Sequence, residues 1–195
     1  MINAGIFGNN VSLNDRYIQS HEKLGQLVTY WKEMGLKIVL TSGTFDLPHI
    51  GHFNYLEKAK TMGDILIVGV DSDEKVKIRK GPSRPVVPQD ERIAMLCHLR
   101  HVDVITIKNH SDPKLHLLKM VRPHILVLSE TTGHEDGDID YMKNFCGKVE
   151  IIEPQSITST TAKVRLLFTE GVSSLASKIK KFVEEQLELA GKGGK

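Results

Sequence analysis

Two histidines, His49 and His52, stand three residues apart in the stretch GTFDLPHIGH, Gly43 to His52. They flank Gly51, follow an apolar run and precede a helical pattern, which puts both imidazoles at the start of a helix beyond the end of a strand. Backbone N–H groups and the positive end of the helix dipole favour an anion at such a place. Imidazoles add hydrogen-bond donors for phosphate oxygens, and a glycine between them lets a bulky group approach the backbone. Zinc is the competing chemistry, since ligands at i and i+3 can share a metal. No nearby Cys, Asp or Glu completes a set at a recognisable spacing, and Asp46 lies before the turn, so the pair suits phosphate better than metal. The remaining histidines are scattered and read as surface or core-edge residues.

The elements that must position this turn follow from hydrophobic patterning. Residues 1–20 mix Gly, Asn and isolated apolar residues without a sustained period and read as an N-terminal arm that packs on the domain or on a second subunit. From His21 to Met34 apolar residues return at helical spacing, with Gly35 as the stop. KIVLTSG is then a short, nearly continuous apolar strand of the kind covered on both faces. HFNYLEKAKTMG reads as helix, DILIVGV as strand, Pro88 to Arg100 as a helix with Pro and acidic residues in its first turn, and VDVITI as strand. PKLHLLKMV, HILVLS, IDYMKNFCG and KVEIIE continue the alternation. The expected fold is α/β, a Rossmann-like, doubly wound, mostly parallel five-stranded sheet with helices on both faces. The expected nucleotide-processing domain spans 21–170. Residues 171–195 form an amphipathic C-terminal helix with Leu175, Ile179, Phe182, Val183 and Leu187 on one stripe, ending in a Gly-Lys tail that should fray. Glu184, Glu185 and Glu188 argue against a membrane-surface role for that helix.

The totals narrow the class. At 195 residues the chain is the size of one domain with an appendage, and a formal net charge of +2 from 26 basic and 24 acidic residues supplies no field of the strength nucleic acid requires. Cys97 and Cys146 are far apart and form no CxxC pair; Cys97 falls in an apolar helical pattern and reads as core packing. No apolar run resembles a signal peptide or is long enough to span a bilayer, so a cytoplasmic protein without membrane or nucleic-acid partners is expected.

GTFDLPHIGH resembles the HxGH signature of the cytidylyltransferase-like nucleotidyltransferase superfamily, and STTAKV, Ser159 to Val164, resembles its second signature. The two stand in the right order on a matching βα pattern. The intervening stretch, with its KGPxRPV-type loop and following Glu-Arg helix, looks like the adenylyltransferases of heptose 1-phosphate; the resemblance runs from about His21 to Leu167. It implies in-line attack by the phosphate of a sugar phosphate on the α-phosphorus of a nucleoside triphosphate, ATP by this resemblance, with pyrophosphate leaving together with Mg2+. Catalysis then rests on positioning and on stabilising phosphate charge. By the same resemblance His49 and His52 contact the triphosphate. Gly43, Thr44 and Phe45 form the turn that holds the α-phosphate through backbone groups, beside Gly51. Lys80 lies in a basic loop where the family has a catalytic lysine, Arg79 beside it and Arg84 beyond it meet the sugar phosphate, and Arg92 touches the nucleotide, with an ion pair to Glu91 as its ordinary alternative. Ser159, Thr160 and Thr161 cap a helix and offer donors to the β- and γ-phosphates. Asp46 is close enough to orient a ligand or a histidine. Dimers are common in the family and both termini suit subunit contacts, so a homodimer is expected.

Two departures leave the acceptor and the base open. SETTGHEDGD, Ser129 to Asp138, is acidic and polar where heptose enzymes carry a Lys-Gly-Gly-Asp stretch. EPQSITSTT replaces the RTEGISTT form of glycerol-3-phosphate cytidylyltransferases, and the missing arginine argues for a sugar phosphate. The heptose enzymes are often fused to a kinase domain, and none fits in this length. The alternatives are a CTP-dependent cytidylyltransferase of a small phosphoalcohol or polyol phosphate, and a nucleotide-binding regulatory protein without turnover. Class I aminoacyl-tRNA synthetase chemistry shares the HxGH turn, but the chain has no KMSKS-like loop and no room for a tRNA-binding domain.

Overall fold

The computed structural model describes residues 13–132, 137–155, 172 and 175–181. The chain divides into two units, residues 1–157 and 158–195. In the first, the elements run α1 (Leu13–Arg16), α2 (His21–Glu33), β1 (Ile38–Gly43), α3 (Ile50–Lys60), β2 (Ile65–Asp71), α4 (Asp73–Lys80), α5 (Gln89–Cys97), β3 (Val104–Lys108), α6 (His116–Val121), β4 (Ile125–Ser129), α7 (Asp138–Lys143) and β5 (Lys148–Ile152). The five strands form one parallel sheet in the order β3-β2-β1-β4-β5. The chain winds outward from β1 to β3, then crosses to β4 and β5 on the other side. Strand order therefore reverses between β1 and β4, and the crevice beyond their carboxyl ends is where such sheets bind ligands.

Alternation along the strands decides the layers. Val39, Leu66, Val68, Ile105 and Val127 pack with Leu56 and Ala59 of α3 and Ile93 and Leu96 of α5. Their neighbours Ile38, Leu40, Ile65, Ile67, Val104 and Leu126 pack on the other face with Leu24, Val28 and Trp31 of α2 and Leu117, Leu118 and Val121 of α6. The side-chain period of two thus supplies two cores, one on each face, and the doubly wound expectation holds.

The expected elements differ from the observed ones at one informative place. Arg79 and Lys80, expected in a basic loop, form the end of helix α4. Its signals are ordinary: Ser72 caps it by accepting from the Lys75 N–H, Asp73 and Glu74 occupy the first turn, and Lys77, Arg79 and Lys80 the last. Gly81, at φ 99°, ends it. Only one of its residues, Val76, is buried, so the helix lacks the apolar stripe by which periodicity would reveal it. The described end of the N-terminal arm is integrated with its own domain. Ile18 is buried and donates its N–H to Ile105 O at 2.8 Å, and the Arg16 guanidinium donates to the carbonyls of Cys97, Leu99 and Val102. Cys97 lies partly buried against the core, as its pattern indicates. In the second unit residues 175–181 are helical, with Leu175 and Ile179 one turn apart on one face. Among the described residues no helix is long and apolar enough to cross a membrane.

Candidate active site

The histidine pair is the cap of α3. His49 is its N-cap, in extended backbone, and its Nδ1 accepts the Gly51 N–H at 3.1 Å. His52, three residues on, returns the bond by accepting the His49 N–H on Nδ1 at 3.3 Å. This is a capping box built from two imidazoles, with ring centroids 4.2 Å apart. It has a chemical consequence beyond helix stability. A neutral imidazole that accepts on Nδ1 carries its proton on Nε2, so the bond from the His49 N–H leaves the His52 ring with an Nε2–H donor on the side away from the cap. Burial, then the neighbouring His49 and Lys80, push the His52 pKa down to about 4, so that ring is neutral at pH 7 and the tautomer is kept. The Gly51 amide, expected to lie open to a ligand, is engaged by the cap.

Between β1 and the cap, the turn folds back sharply. Phe45 and Leu47 both adopt φ 51°, the left-handed region that costs a side-chain-bearing residue roughly 1–2 kcal/mol. Phe45 is held there by burying its ring against Gly43 and standing edge-on to His52 at 5.9 Å. A Cβ on Gly43 would come within 3.0 Å of the Phe45 ring, which is why a glycine ends the strand.

Three polar side chains hold the strained turn. Arg92, expected to touch the nucleotide, is instead fully buried. Its Nε donates to Val87 O, Nη1 to Thr44 O, and Nη2 to Asp71 O at 2.8 Å and to Asp73 Oδ1 at 2.7 Å. Its acidic partner is Asp73, across from α4, and not Glu91 in its own helix. Because the Thr44 carbonyl is drawn inward by Arg92, the trans peptide turns the Phe45 N–H the other way, where an anion can accept it. Asp46, expected to orient a ligand or a histidine, is a staple for the following loop: its carboxylate accepts the N–H groups of Val86 and Val87 and pairs with Arg84 at 2.8 Å. Arg84 is thereby tied to the turn with its side chain about one-third exposed. Arg79, in the last turn of α4, donates to the Thr44 hydroxyl at 2.7 Å and to Asp71 Oδ2 at 2.8 Å, and half of its side chain remains open to solvent.

Lys80 closes α4 beside these groups. Burial, then Arg79 and Arg84, lower its pKa, opposed by Asp46 and Asp71. The structure thus brings His49, His52, Thr44, Arg79, Lys80 and Arg84 to one side of the turn. Ser159, Thr160 and Thr161 lie outside the described residues. The carboxylates at the strand ends, Asp46 and Asp71, are engaged by cations and amides, and among the described residues no cluster of His, Cys, Asp and Glu could hold a metal ion. Asp71 and Lys108 were missed by sequence reading. Asp71 closes a fully buried strand and Lys108 its neighbour, and only the register that pairs them across β2 and β3 makes them part of the site.

Comparison with known proteins identifies the family. The profile of the cytidylyltransferase-like family matches residues 40–176, a span that includes most of β1, the histidine cap and α4. The chain belongs to the cytidylyltransferase-like family. This is a family of transferases, and the curated proteins it resembles carry the name bifunctional protein HldE. That of Nitratiruptor sp. is 37% identical over 152 residues, covering 77% of this chain and 32% of the relative, and that of Sulfurimonas denitrificans 36% over 157 residues, covering 79% and 32%. The chain spans about a third of the length of these relatives. Among solved structures, the lipopolysaccharide core biosynthesis protein of Thermoplasma volcanium superposes with a TM-score of 0.52 at 25% identity, covering 64% of this chain and 100% of that one. Pantoate-beta-alanine ligase of Francisella tularensis superposes with a TM-score of 0.57 at 17% identity over 72% of this chain and 67% of its own, a likeness of fold.

Proposed function

We propose that this member of the cytidylyltransferase-like family transfers a nucleotidyl group from a nucleoside triphosphate, ATP, to a sugar phosphate such as heptose 1-phosphate, releasing pyrophosphate. The observation that carries the proposal is the histidine cap, which sets two imidazoles at a helix start beside Arg79, Lys80 and Arg84. The triphosphate takes the crevice beyond β1, with the α-phosphate at the Phe45 N–H and the histidine donors on oxygens where charge builds. The attacking oxygen belongs to the acceptor's phosphate, already anionic at neutral pH, so no general base is needed. The bond from α-phosphorus to the bridging oxygen breaks as the new one forms, and pyrophosphate leaves into the field of Lys80. His52 takes part as a neutral donor, since its lowered pKa keeps it from taking up a proton from solution.

Magnesium accompanies the triphosphate as its counter-ion. With Asp46 and Asp71 committed to arginines and amides, the ion is held chiefly by phosphate oxygens and water, a usual coordination for Mg2+ on nucleotides. ATP and a sugar phosphate are inferred from the resemblance of the Lys80 to Val87 stretch to heptose 1-phosphate adenylyltransferases and from the relatives named bifunctional protein HldE. The test is pyrophosphate release across the four nucleoside triphosphates against heptose 1-phosphate, other sugar 1-phosphates, glycerol 3-phosphate and ethanolamine phosphate, with magnesium. A signal confined to ATP with a sugar 1-phosphate is expected. Turnover confined to CTP with a phosphoalcohol would replace the assignment with a cytidylyltransferase. Nucleotide binding without turnover of any pair would replace it with a regulatory module.

A further inference from the structure

Asp71, the last residue of β2, is tied to Thr44, the first residue after β1, by two separate arginines. Its backbone carbonyl accepts from Arg92 Nη2 at 2.8 Å, and the same guanidinium donates through Nη1 to the Thr44 carbonyl. Its carboxylate accepts from Arg79 at 2.8 Å, and the same Arg79 nitrogen donates to the Thr44 hydroxyl at 2.7 Å. The second carboxylate oxygen, Oδ1, pairs with Lys108 Nζ at 3.4 Å. The carboxyl is 1% exposed, which by itself would favour the neutral acid. Burial does push its pKa up, but Lys108, Arg79 and Lys75 outweigh it and hold it below the ordinary value, so the group is a carboxylate.

The two arginines differ in what keeps them in place. Arg92 is buried within the packed interior, whereas Arg79 is half exposed on the last turn of α4, next to Lys80 and near Arg84 and Lys108. Repulsion among these cations would drive a long, solvated side chain outward, where it regains rotamer entropy. The Asp71 carboxylate is the group that opposes this. Thr44 in turn accepts from Arg79 on Oγ1, so its own hydroxyl hydrogen is free to be donated elsewhere.

We propose that Asp71 is a positioning residue for nucleotidyl transfer. Backed by Lys108, it fixes Arg79, and through Arg79 the Thr44 hydroxyl, as paired donors for the pyrophosphate portion of the nucleotide. This rests on the reading that the turn takes phosphate. Asp71→Asn keeps the shape and removes the charge, leaving Arg79 and Lys108 uncompensated.

The experiment is a double-mutant cycle of Asp71→Asn and Arg79→Met, read on inorganic pyrophosphate affinity by titration calorimetry and on kcat and KM of the transfer reaction, with melting curves for all four proteins. Asp71→Asn is expected to weaken pyrophosphate binding and lower kcat by about tenfold. In the Arg79→Met background the same change should cost less than about threefold, because the residue it acts through is gone. An equal loss in both backgrounds, following the loss of melting temperature, would make Asp71 merely structural and overturn the proposal. So would wild-type-like affinity and kcat in Asp71→Asn, or a wild type that binds no pyrophosphate. A second cycle, Thr44→Val with Arg79→Met, reads the outer link without touching the buried carboxylate: non-additive losses support the relay and additive ones break it. A wild type that turns over no substrate pair while the coupling persists in pyrophosphate affinity would overturn the transferase reading and leave the Asp71 assignment standing.

Discussion

The segments after β1 and after β4 lie on either side of the point where strand order reverses, and they are built in opposite ways. The first is held by long-range bonds: Arg92 and Arg79 reach Thr44 from α5 and α4, and Asp46 binds the backbone 40 residues on. The described residues of the second are held largely by local bonds, Ser129 Oγ to Thr131 Oγ1 at 2.8 Å and Thr132 N–H to Ser129 O at 3.0 Å, with Glu130 N–H completing the sheet edge on Ile152 O. Preorganisation is concentrated where negative charge would have to be stabilised. Donors fixed before the reaction need no reorganisation during it, and that is where rigidity has most value. The second segment presents hydroxyls on a locally determined turn, and on the proposed transfer reaction it is assigned to the acceptor.

The comparison can be broken most severely at Arg92. Arg92→Met should destabilise the domain by about 3–5 kcal/mol, since it leaves buried carbonyls and Asp73 without their donor. A melting temperature near that of wild type would show that the turn does not depend on this guanidinium. Next, His49→Ala or His52→Ala should cost at least about a hundredfold in turnover, the scale of removing a transition-state donor, while the fold survives the loss of a cap worth ~1 kcal/mol. Near-normal steady-state rates in either variant would remove the histidines from the chemistry.

A smaller effect follows from the titration of His52. Its folded pKa of about 4 lies below the unfolded value of 6.5, so the unfolded chain binds the proton first. Stability is therefore fully present above pH 6.5 and is lost as pH falls toward 4, by ~1–2 kcal/mol after allowance for solvent screening. Denaturant melts at pH 7 and pH 5 should show the loss in wild type and a smaller one in His52→Gln; equal pH dependence in both would assign the effect elsewhere. Smallest in stability is Ser129→Ala with Thr131→Ala, expected within about 0.5 kcal/mol of wild type. Its signature is a raised KM for the acceptor with the nucleotide KM unchanged, and the reverse pattern would undo the division of labour between the two segments.

Much of this was legible in the chain itself. Continuous apolar runs separated by helical patterns specify a parallel sheet covered on both faces, because each run must bury both of its faces and each crossover must return to the same sheet. The spacing of His49 and His52 around Gly51 specifies a helix start that can cap itself, a local property needing no distant residue. The neutral state of His52, the strained φ of Phe45 and the split between Arg92 and Arg79 were decided only by tertiary structure. An arginine reads the same in a sequence whether its guanidinium is buried against three carbonyls or half open to solvent beside a turn. Burial and the geometry of partners as far as 48 residues away set the difference for Arg92. Asp71 and Lys108 belong to the same category. Nothing in their local patterns distinguishes them, and they acquire a role only when parallel register sets them side by side at the end of the sheet.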